Sequence, residues 1–387
     1  MNKPVVLIFS EWFYPGYKAG GPVESLLNMI SNLKDDFDFR VITTNCDYTE
    51  REPYPDLIPG SWQKGPFDIP VYYFDYGKVN GSEIGELITE VNPDVIHING
   101  IYSKFFCRVP LKFVSGNKKI LKIVSVRGML APSALAIKSL KKKIYLNLAR
   151  WNAWFSDVVF HATNEMEREQ VLTHFPGAKV KVAPNVPAKC PDSFSPAEFT
   201  GEKLDLVSVS RIAPEKNILG GIEALAVISQ LPEFSHLQIS WRIFGPVYDP
   251  QYYSRCLALS DKHKTRFSVK FEGPLNPLSI NMEVSKAHAF FHPSFAENFG
   301  HSVVQGFYAA RPVICSRKTP WTDIETQNAG FLFNPDDSSS LSGALARLLK
   351  LNPDDFRSAC KNAFEYGKRI SNNEKVLVLN KSLFNKD

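Results

Sequence analysis

The chain has 387 residues, 44% hydrophobic and 22% charged, with 28 Phe and 14 Tyr, a composition that excludes a disordered protein and leaves room for two domains with separate cores. The formal net charge of +5 suits an anionic ligand or an anionic membrane surface and falls short of the basic footprint of a nucleic-acid binder, so no nucleic-acid partner is expected. Cys46, Cys107, Cys190, Cys256, Cys315 and Cys360 form no C-x-x-C pair and have no His at zinc spacing, which predicts buried thiols in a cytoplasmic, reducing compartment and no metal.

In chain order, "PVVLIFS" (residues 4–10) has an apolar run of about six residues, too short for a signal sequence or a membrane span, and is read as a first strand. Further strands are expected at "DFRVITT", "VYYFDY", "PDVIHIN", "KILKIVSV", "DVVFHAT" and "AKVKVAP", with helices between them. The proline-rich stretch at 184–203 has no hydrophobic period and reads as a linker. The pattern restarts with "LDLVSVS", "LQISWRIFG", "FSVKFEG", "AHAFFHPS" and "RPVICS". Val- and Ile-rich runs alternating with helices are the βαβ signature of a parallel sheet. The expected architecture is therefore α/β, with two facing Rossmann-like domains and an interdomain cleft as the natural ligand site. The domains are placed at 1–185 and 204–370, joined by a linker over 186–203, with a terminal helix over 371–387 able to pack back on the first domain.

Three stretches follow strands and carry candidate chemistry. "YKAGGP" (17–22) precedes a helix, and Gly20 and Gly21 would let backbone amides approach a phosphate; a plain tight turn explains them equally well, and the dinucleotide G-x-G-x-x-G is absent. "VSRIAPEKNILGGIEAL" (209–225) sets Arg211 and Lys216 at a strand-to-helix turn, a planar fork and a point charge suited to a diphosphate. A solvated turn is the plainer account, but Lys at a helix start opposes the helix dipole. "HPSFAENFGHSVVQGF" (292–307) places Glu297, Asn298, Phe299 and Gly300 before a helix starting near His301 or Ser302, whose free amides can bind phosphate. A carboxylate beside an anion site needs a hydroxyl-bearing partner such as a sugar, unless Glu297 only favours the helix dipole.

"SRIAPEKN", "ENFGHSVVQGFYAARPVICS" and "TPWTDI", in this order, resemble the family 4 glycosyltransferases of the two-Rossmann GT-B fold. "RGMLAPSAL" and "HATNEMEREQVL" resemble its bacterial polysaccharide branch, so the likeness spans nearly the whole chain. The resemblance implies a retaining transferase, working without metal or cofactor, that moves a hexose-type sugar from a nucleoside-diphosphate sugar to a glycan or lipid-linked acceptor. It implies that Arg211 and Lys216 hold the diphosphate, that Glu297 bonds sugar hydroxyls, and that amides around Phe299 to Ser302 face the donor. Retention needs no protein nucleophile in the front-face picture, where the leaving diphosphate takes the acceptor's proton and the enzyme stabilises its charge.

Two positions depart from the family pattern. The family has a second Glu eight residues after the first, on the donor ribose; here it is Gln305, whose amide oxygen accepts only a neutral hydrogen bond. Many members have a His after the strand near residue 126; here Arg127 stands there and cannot act as a base. Arg127 and His97, at the end of the preceding strand, are the acceptor-side candidates, though a lone His on an apolar strand more often belongs to the core. These departures keep open a catalytically inactive sugar-nucleotide-binding protein, and the fold itself keeps open a second alternative, a nucleotide-sugar epimerase. "IKSLKKKIYLNLARWNAWF" (137–155) combines Lys138, Lys141, Lys142, Lys143 and Arg150 with Trp151, Trp154 and Phe155. A helix of this kind can touch the inner membrane peripherally, but its run into a strand favours aromatics in the core and lysines in water.

Overall fold

The computed structural model describes residues 3–136 and 139–385. The chain falls into two compact units, Met1–Val186 with Asn373–Asp387, and Pro187–Asn372. The first unit holds β1 (Val5–Phe9), β2 (Asp38–Thr44), β3 (Trp62–Lys64), β4 (Pro70–Phe74), β5 (Val95–Asn99), β6 (Leu121–Ser125), β7 (Val159–Ala162) and β8 (Lys179–Val182). Its helices are α1 (Gly21–Leu33), α2 (Gly81–Val91), α3 (Val109–Phe113), α4 (Pro132–Ala136), α5 (Ser139–Trp151) and α6 (Glu165–His174). The strands form one sheet in the order β3-β4-β2-β1-β5-β6-β7-β8, parallel except for the β3–β4 pair. Side chains alternate across it: Leu7, Phe9, Ile96 and Ile98 enter one core, and Val6, Ile8, Val95 and Ile123 the other. Because both faces are covered, the strands read as unbroken apolar runs.

The second unit holds β9 (Lys203–Val209), β10 (Gln238–Phe244), β11 (Phe267–Gly273), β12 (Ala289–His292), β13 (Val313–Ser316) and β14 (Gly330–Phe333). They form an all-parallel sheet in the order β11-β10-β9-β12-β13-β14. Helices α7 (Ile218–Ile228), α8 (Pro250–His263), α9 (Ile280–Ser285), α10 (His301–Tyr308), α11 (Ser338–Leu349) and α12 (Pro353–Ser371) belong to this unit. In each sheet the strand order reverses once, between β1 and β5 and between β9 and β12, and such switch points put loop residues at a crevice outside the carboxyl ends of the strands.

Several elements differ from the sequence-based expectation. β3 and β14 were not expected; three partly exposed residues are too few for β3 to show a period, while β14 is an apolar run of the same length as β12. The proline-rich stretch is not a free tether. Cys190 N donates to Ser371 Oγ at 3.0 Å, the Arg311 guanidinium to Ser195 O at 2.8 Å, and Phe199 is buried in the second core. The terminal helix α13 (Glu374–Leu383) belongs to the first unit, where Asn380 Nδ2 donates to Pro184 O at 2.8 Å and Phe384 packs on Phe37 and Phe39. On α5, Phe155 just beyond the helix is buried and Trp154 half-buried, but Trp151 is 87% exposed, so the core does not take all the aromatics; Lys138 lies outside the described residues. Among the described residues no helix is long and apolar enough to cross a membrane.

Candidate functional site

At the switch point of the second sheet, β9 ends at Val209 and leads through Arg211 into the one-turn Pro214–Lys216 helix, with Asn217 in the left-handed region at φ 51° before α7. β12 ends at His292 and leads through Glu297 into α10. The two loops are tied together: Asn217 Nδ2 donates to Pro293 O at 3.2 Å, and Phe295 N and Ser294 Oγ both donate to Glu215 O at 3.1 Å. On the other side Glu297 N donates to Lys318 O at 3.2 Å and Ser316 Oγ to Phe295 O at 2.9 Å, which anchors the Glu297 loop to the end of β13.

This clamping brings Lys216 and Glu297 together across 81 residues. Lys216 Nζ donates to Glu297 Oε1 at 2.5 Å, and His292 Nε2 donates to the same oxygen at 2.8 Å. Both partners of the ion pair are only 14% exposed. Burial alone would push the Glu297 carboxyl up, but the Lys216 ammonium and the His292 N–H outweigh it and hold it well below the usual carboxylate range. A lysine has three donors, so one bond to Glu297 leaves Lys216 able to hold a second anion.

Next to this pair α10 begins. Gly300, at φ 77°, is its N-cap in the left-handed conformation that favours glycine, and no side chain caps the end. The first amides of a helix have no acceptor within it and carry the positive end of its dipole. Asn298 and Phe299 lie half-buried in the preceding loop, Phe299 against Trp321 with ring centroids 5.2 Å apart; His301 is buried and Ser302 half-buried in the first turn. Gln305 is half-buried one turn further, and among the described residues its amide has no hydrogen-bond partner. Arg211 is not part of the ion pair: its guanidinium lies 4.8 Å from the Tyr248 ring and 3.4 Å from Glu215. Gly245, at φ 148°, lets the loop after β10 lie against this turn, because a Cβ there would meet Ser210 O at 1.9 Å.

In the first unit the switch point carries a different network. Arg127, at φ 51° just after β6, donates from Nε to Asn99 Oδ1 at 2.8 Å and from Nη1 to Asn185 Oδ1 at 2.7 Å, while Asn99 Nδ2 donates to Ser10 Oγ at 3.2 Å. Burial lowers its pKa to about 10, against the opposing pull of Glu167, so it remains a cation at neutral pH. Gly20 caps α1 at φ 70°, ahead of Gly21. The amides of Tyr17 and Lys18 are already used by the buried Asp47 carboxylate, at 2.9 and 3.2 Å, so any anion contact of this loop rests on the start of α1 itself. His97 is fully buried, on the face packed by Phe384. A carbonyl anchors its relay: His161 Nε2 donates to Ala183 O at 2.8 Å, so its Nδ1 accepts from Ser125 Oγ at 2.8 Å, and His97 Nε2 donates to that hydroxyl at 2.7 Å.

Sequence reasoning did not single out His292, Asn217 or Gly245. For His292 the available signal was its place as the last residue of a strand five positions before Glu297; the other two show their role only through contacts between loops. Among the described residues, no group of three or more His, Cys, Asp and Glu side chains could hold a metal ion.

Residues 191–368, nearly all of the second unit, match the family model described as glycosyl transferases group 1. No curated protein sequence matches the chain. Among solved structures, sucrose-phosphate synthase from Thermosynechococcus elongatus is 18% identical, with a TM-score of 0.68 over 99% of this chain and 98% of its own. HepE of Anabaena, solved in complex with UDP and glucose, is 16% identical with a TM-score of 0.66 over 98% of each chain. S. aureus TarM, solved as a mutant in complex with fondaparinux, alpha-GlcNAc-glycerol and UDP, is 13% identical with a TM-score of 0.65 over 100% of each. Likeness at this identity carries the fold, which is that of the GT-B glycosyltransferases.

Proposed function

We propose that the protein is a retaining glycosyltransferase that moves a hexose-type sugar from a nucleoside-diphosphate sugar to a glycan or lipid-linked acceptor, in the cytoplasm and in the service of cell-surface polysaccharide biosynthesis. The observation that carries this reading is the buried Lys216–Glu297–His292 cluster beside the uncapped start of α10, at a sheet switch point. The complexes of HepE with UDP-glucose and of TarM with UDP, on the same fold, support a nucleotide-sugar donor.

In this scheme the diphosphate sits at the first amides of α10, with Asn298 to Ser302 around it, and takes hydrogen bonds from Lys216 and from the forked guanidinium of Arg211. Glu297, held ionised, accepts from hydroxyls of the sugar. As the bond from the anomeric carbon to the diphosphate oxygen breaks, a bond to the acceptor hydroxyl forms on the same face, and the departing diphosphate takes the hydroxyl proton. Lys216, Arg211 and the helix amides stabilise the charge that develops on the leaving group. No metal or cofactor enters the scheme. Gly20 and Gly21 at the start of α1 are a second candidate phosphate contact in the first unit, where Arg127, a fixed cation, is the candidate acceptor contact. The buried, hydrogen-bonded His97 has a structural place instead.

A second reading, an inactive protein that binds a sugar nucleotide, is favoured by one observation: Gln305 stands where a charged ribose ligand is expected. Thermal-shift screening against nucleotide-sugars, followed by mass-spectrometric assay of donor hydrolysis and transfer, tests both. Turnover of any donor excludes the inactive reading; binding without turnover across a broad acceptor panel excludes the transferase.

A further inference from the structure

We propose that the outward face of α5 docks the first unit on an anionic lipid bilayer. The helix buries Leu146 and Ala149 against the core. Its opposite side carries Leu140, Ile144, Leu148 and Trp151, which are 71%, 52%, 40% and 87% exposed. Their spacing of four, four and three residues keeps them within an arc of about 80° at about 100° per residue. A stripe that continuous on the solvent side is the reverse of an ordinary surface helix, whose apolar residues face inward.

The charge around the stripe selects the partner. Lys141 and Lys143 are exposed on either side of it, and Arg150 is exposed near its end. On the neighbouring Lys104–Arg108 turn, Arg108 lies over the Trp154 ring at 3.8 Å, while Lys142 of α5 lies 5.4 Å from the Tyr102 ring; these bonds fix the cations beside aromatic surface. Residues 95–156 contain twelve Lys and Arg and no Asp or Glu, so the rest of the chain, with 33 basic and 40 acidic side chains, is net negative by seven. The basic excess of the protein is thus confined to the segment that carries the stripe. An apolar ridge flanked by cations matches a bilayer surface with anionic headgroups: the aliphatic and indole groups enter the headgroup boundary while the lysines meet phosphates. A protein partner of this chemistry would need a groove deep enough for Trp151 and acids on both rims. A bilayer offers both without specific fit.

The proposal goes beyond the transferase reading and does not depend on it, because its test needs neither donor nor acceptor. The full chain is floated with vesicles of phosphatidylcholine alone and of phosphatidylcholine with phosphatidylglycerol, at low and high salt. Binding is expected to the anionic vesicles and to fall with salt. The double variants Leu140→Ser/Ile144→Ser and Lys141→Gln/Lys143→Gln change only exposed groups, so their melting should match wild type, and each should weaken partitioning by about tenfold or more. Equal binding to neutral vesicles, no binding to either, or undiminished binding by both variants would overturn the proposal. So would a wild-type dimer in solution that the apolar variant makes monomeric, since the stripe would then cover a second copy of the chain.

Discussion

Replacing Glu297 by Gln should weaken folding and sugar transfer yet leave nucleoside-diphosphate binding intact or tighter. The carboxylate accepts from Lys216 at 2.5 Å and from His292 at 2.8 Å. Gln keeps the volume and one acceptor but removes the charge, and Lys216, 14% exposed, then loses its ion-pair partner. Breaking a fully buried pair costs about 3–5 kcal/mol and losing a charged hydrogen bond about 1.5–3 kcal/mol. With some solvent access, about 2–3 kcal/mol is expected, or a fall in Tm of about 4–12 °C for a unit of this size. The released ammonium is then free for a diphosphate, so Kd should stay level or drop by up to about tenfold, whereas Lys216→Met, which removes the cation, should raise it about tenfold or more. Calorimetry with UDP, ADP and GDP, beside a transfer assay, separates the two variants. Equal loss of diphosphate affinity in both would refute the idea that Lys216 is shared between Glu297 and the ligand. The pH dependence has a defined sign. A carboxyl depressed on folding adds stability that is complete above its ordinary value of 4.5 and drains away as pH falls. The stability gap between wild type and Glu297→Gln should therefore narrow below about pH 4.5.

Gln305→Glu should tighten donor binding by about 1 kcal/mol with little change in turnover if the amide stands at a ribose; titration calorimetry that shows flat or weaker binding would place the residue elsewhere. Burial holds His97 and His161 below the ordinary 6.5, His161 at about 3, so their neutral forms add stability that is complete above pH 6.5 and declines below it by up to about 1.4 kcal/mol per pH unit each. Hydrogen exchange of the first unit should show this loss between neutral pH and about pH 5, and His97→Phe/His161→Leu should flatten it; an unchanged slope would contradict the relay. Arg311, 2% exposed, donates to the carbonyls of Ser195, Ser285, Ala287, Ala309 and Ala310. Arg311→Met should cost the second unit about 3–5 kcal/mol in urea unfolding, and a loss below about 1 kcal/mol would mean these bonds are replaceable. Gly245→Ala should displace the loop over Arg211, since its Cβ would meet Ser210 O at 1.9 Å; a crystal structure with that loop unmoved would refute the packing argument.

Much of this protein is legible in its sequence because the signals are local. Runs such as "VVLIF" and "AFFH" declare parallel strands, because a strand covered on both faces must be apolar at every position. The order of strands and helices implies two α/β sheets, and glycine before "HSVVQGF" marks a helix start, since only the backbone within a few residues is involved. Edge strand β3 escaped because three partly exposed residues carry no period, whereas β14 is as long as β12 and went unread. The partnerships were decided only in three dimensions. Nothing within several residues of Lys216 or Glu297 announces that they share a hydrogen bond; loops from β9, β12 and β13 bring them together, and His292 joins because its strand ends beside them. Tertiary packing likewise sent His97 into the core, used the amides of the glycine loop on Asp47, and turned the stripe of α5 outward. Hydrophobic periodicity states that a helix has an apolar face; which side the core takes depends on the neighbours it meets, and those are set by chain segments far away in sequence.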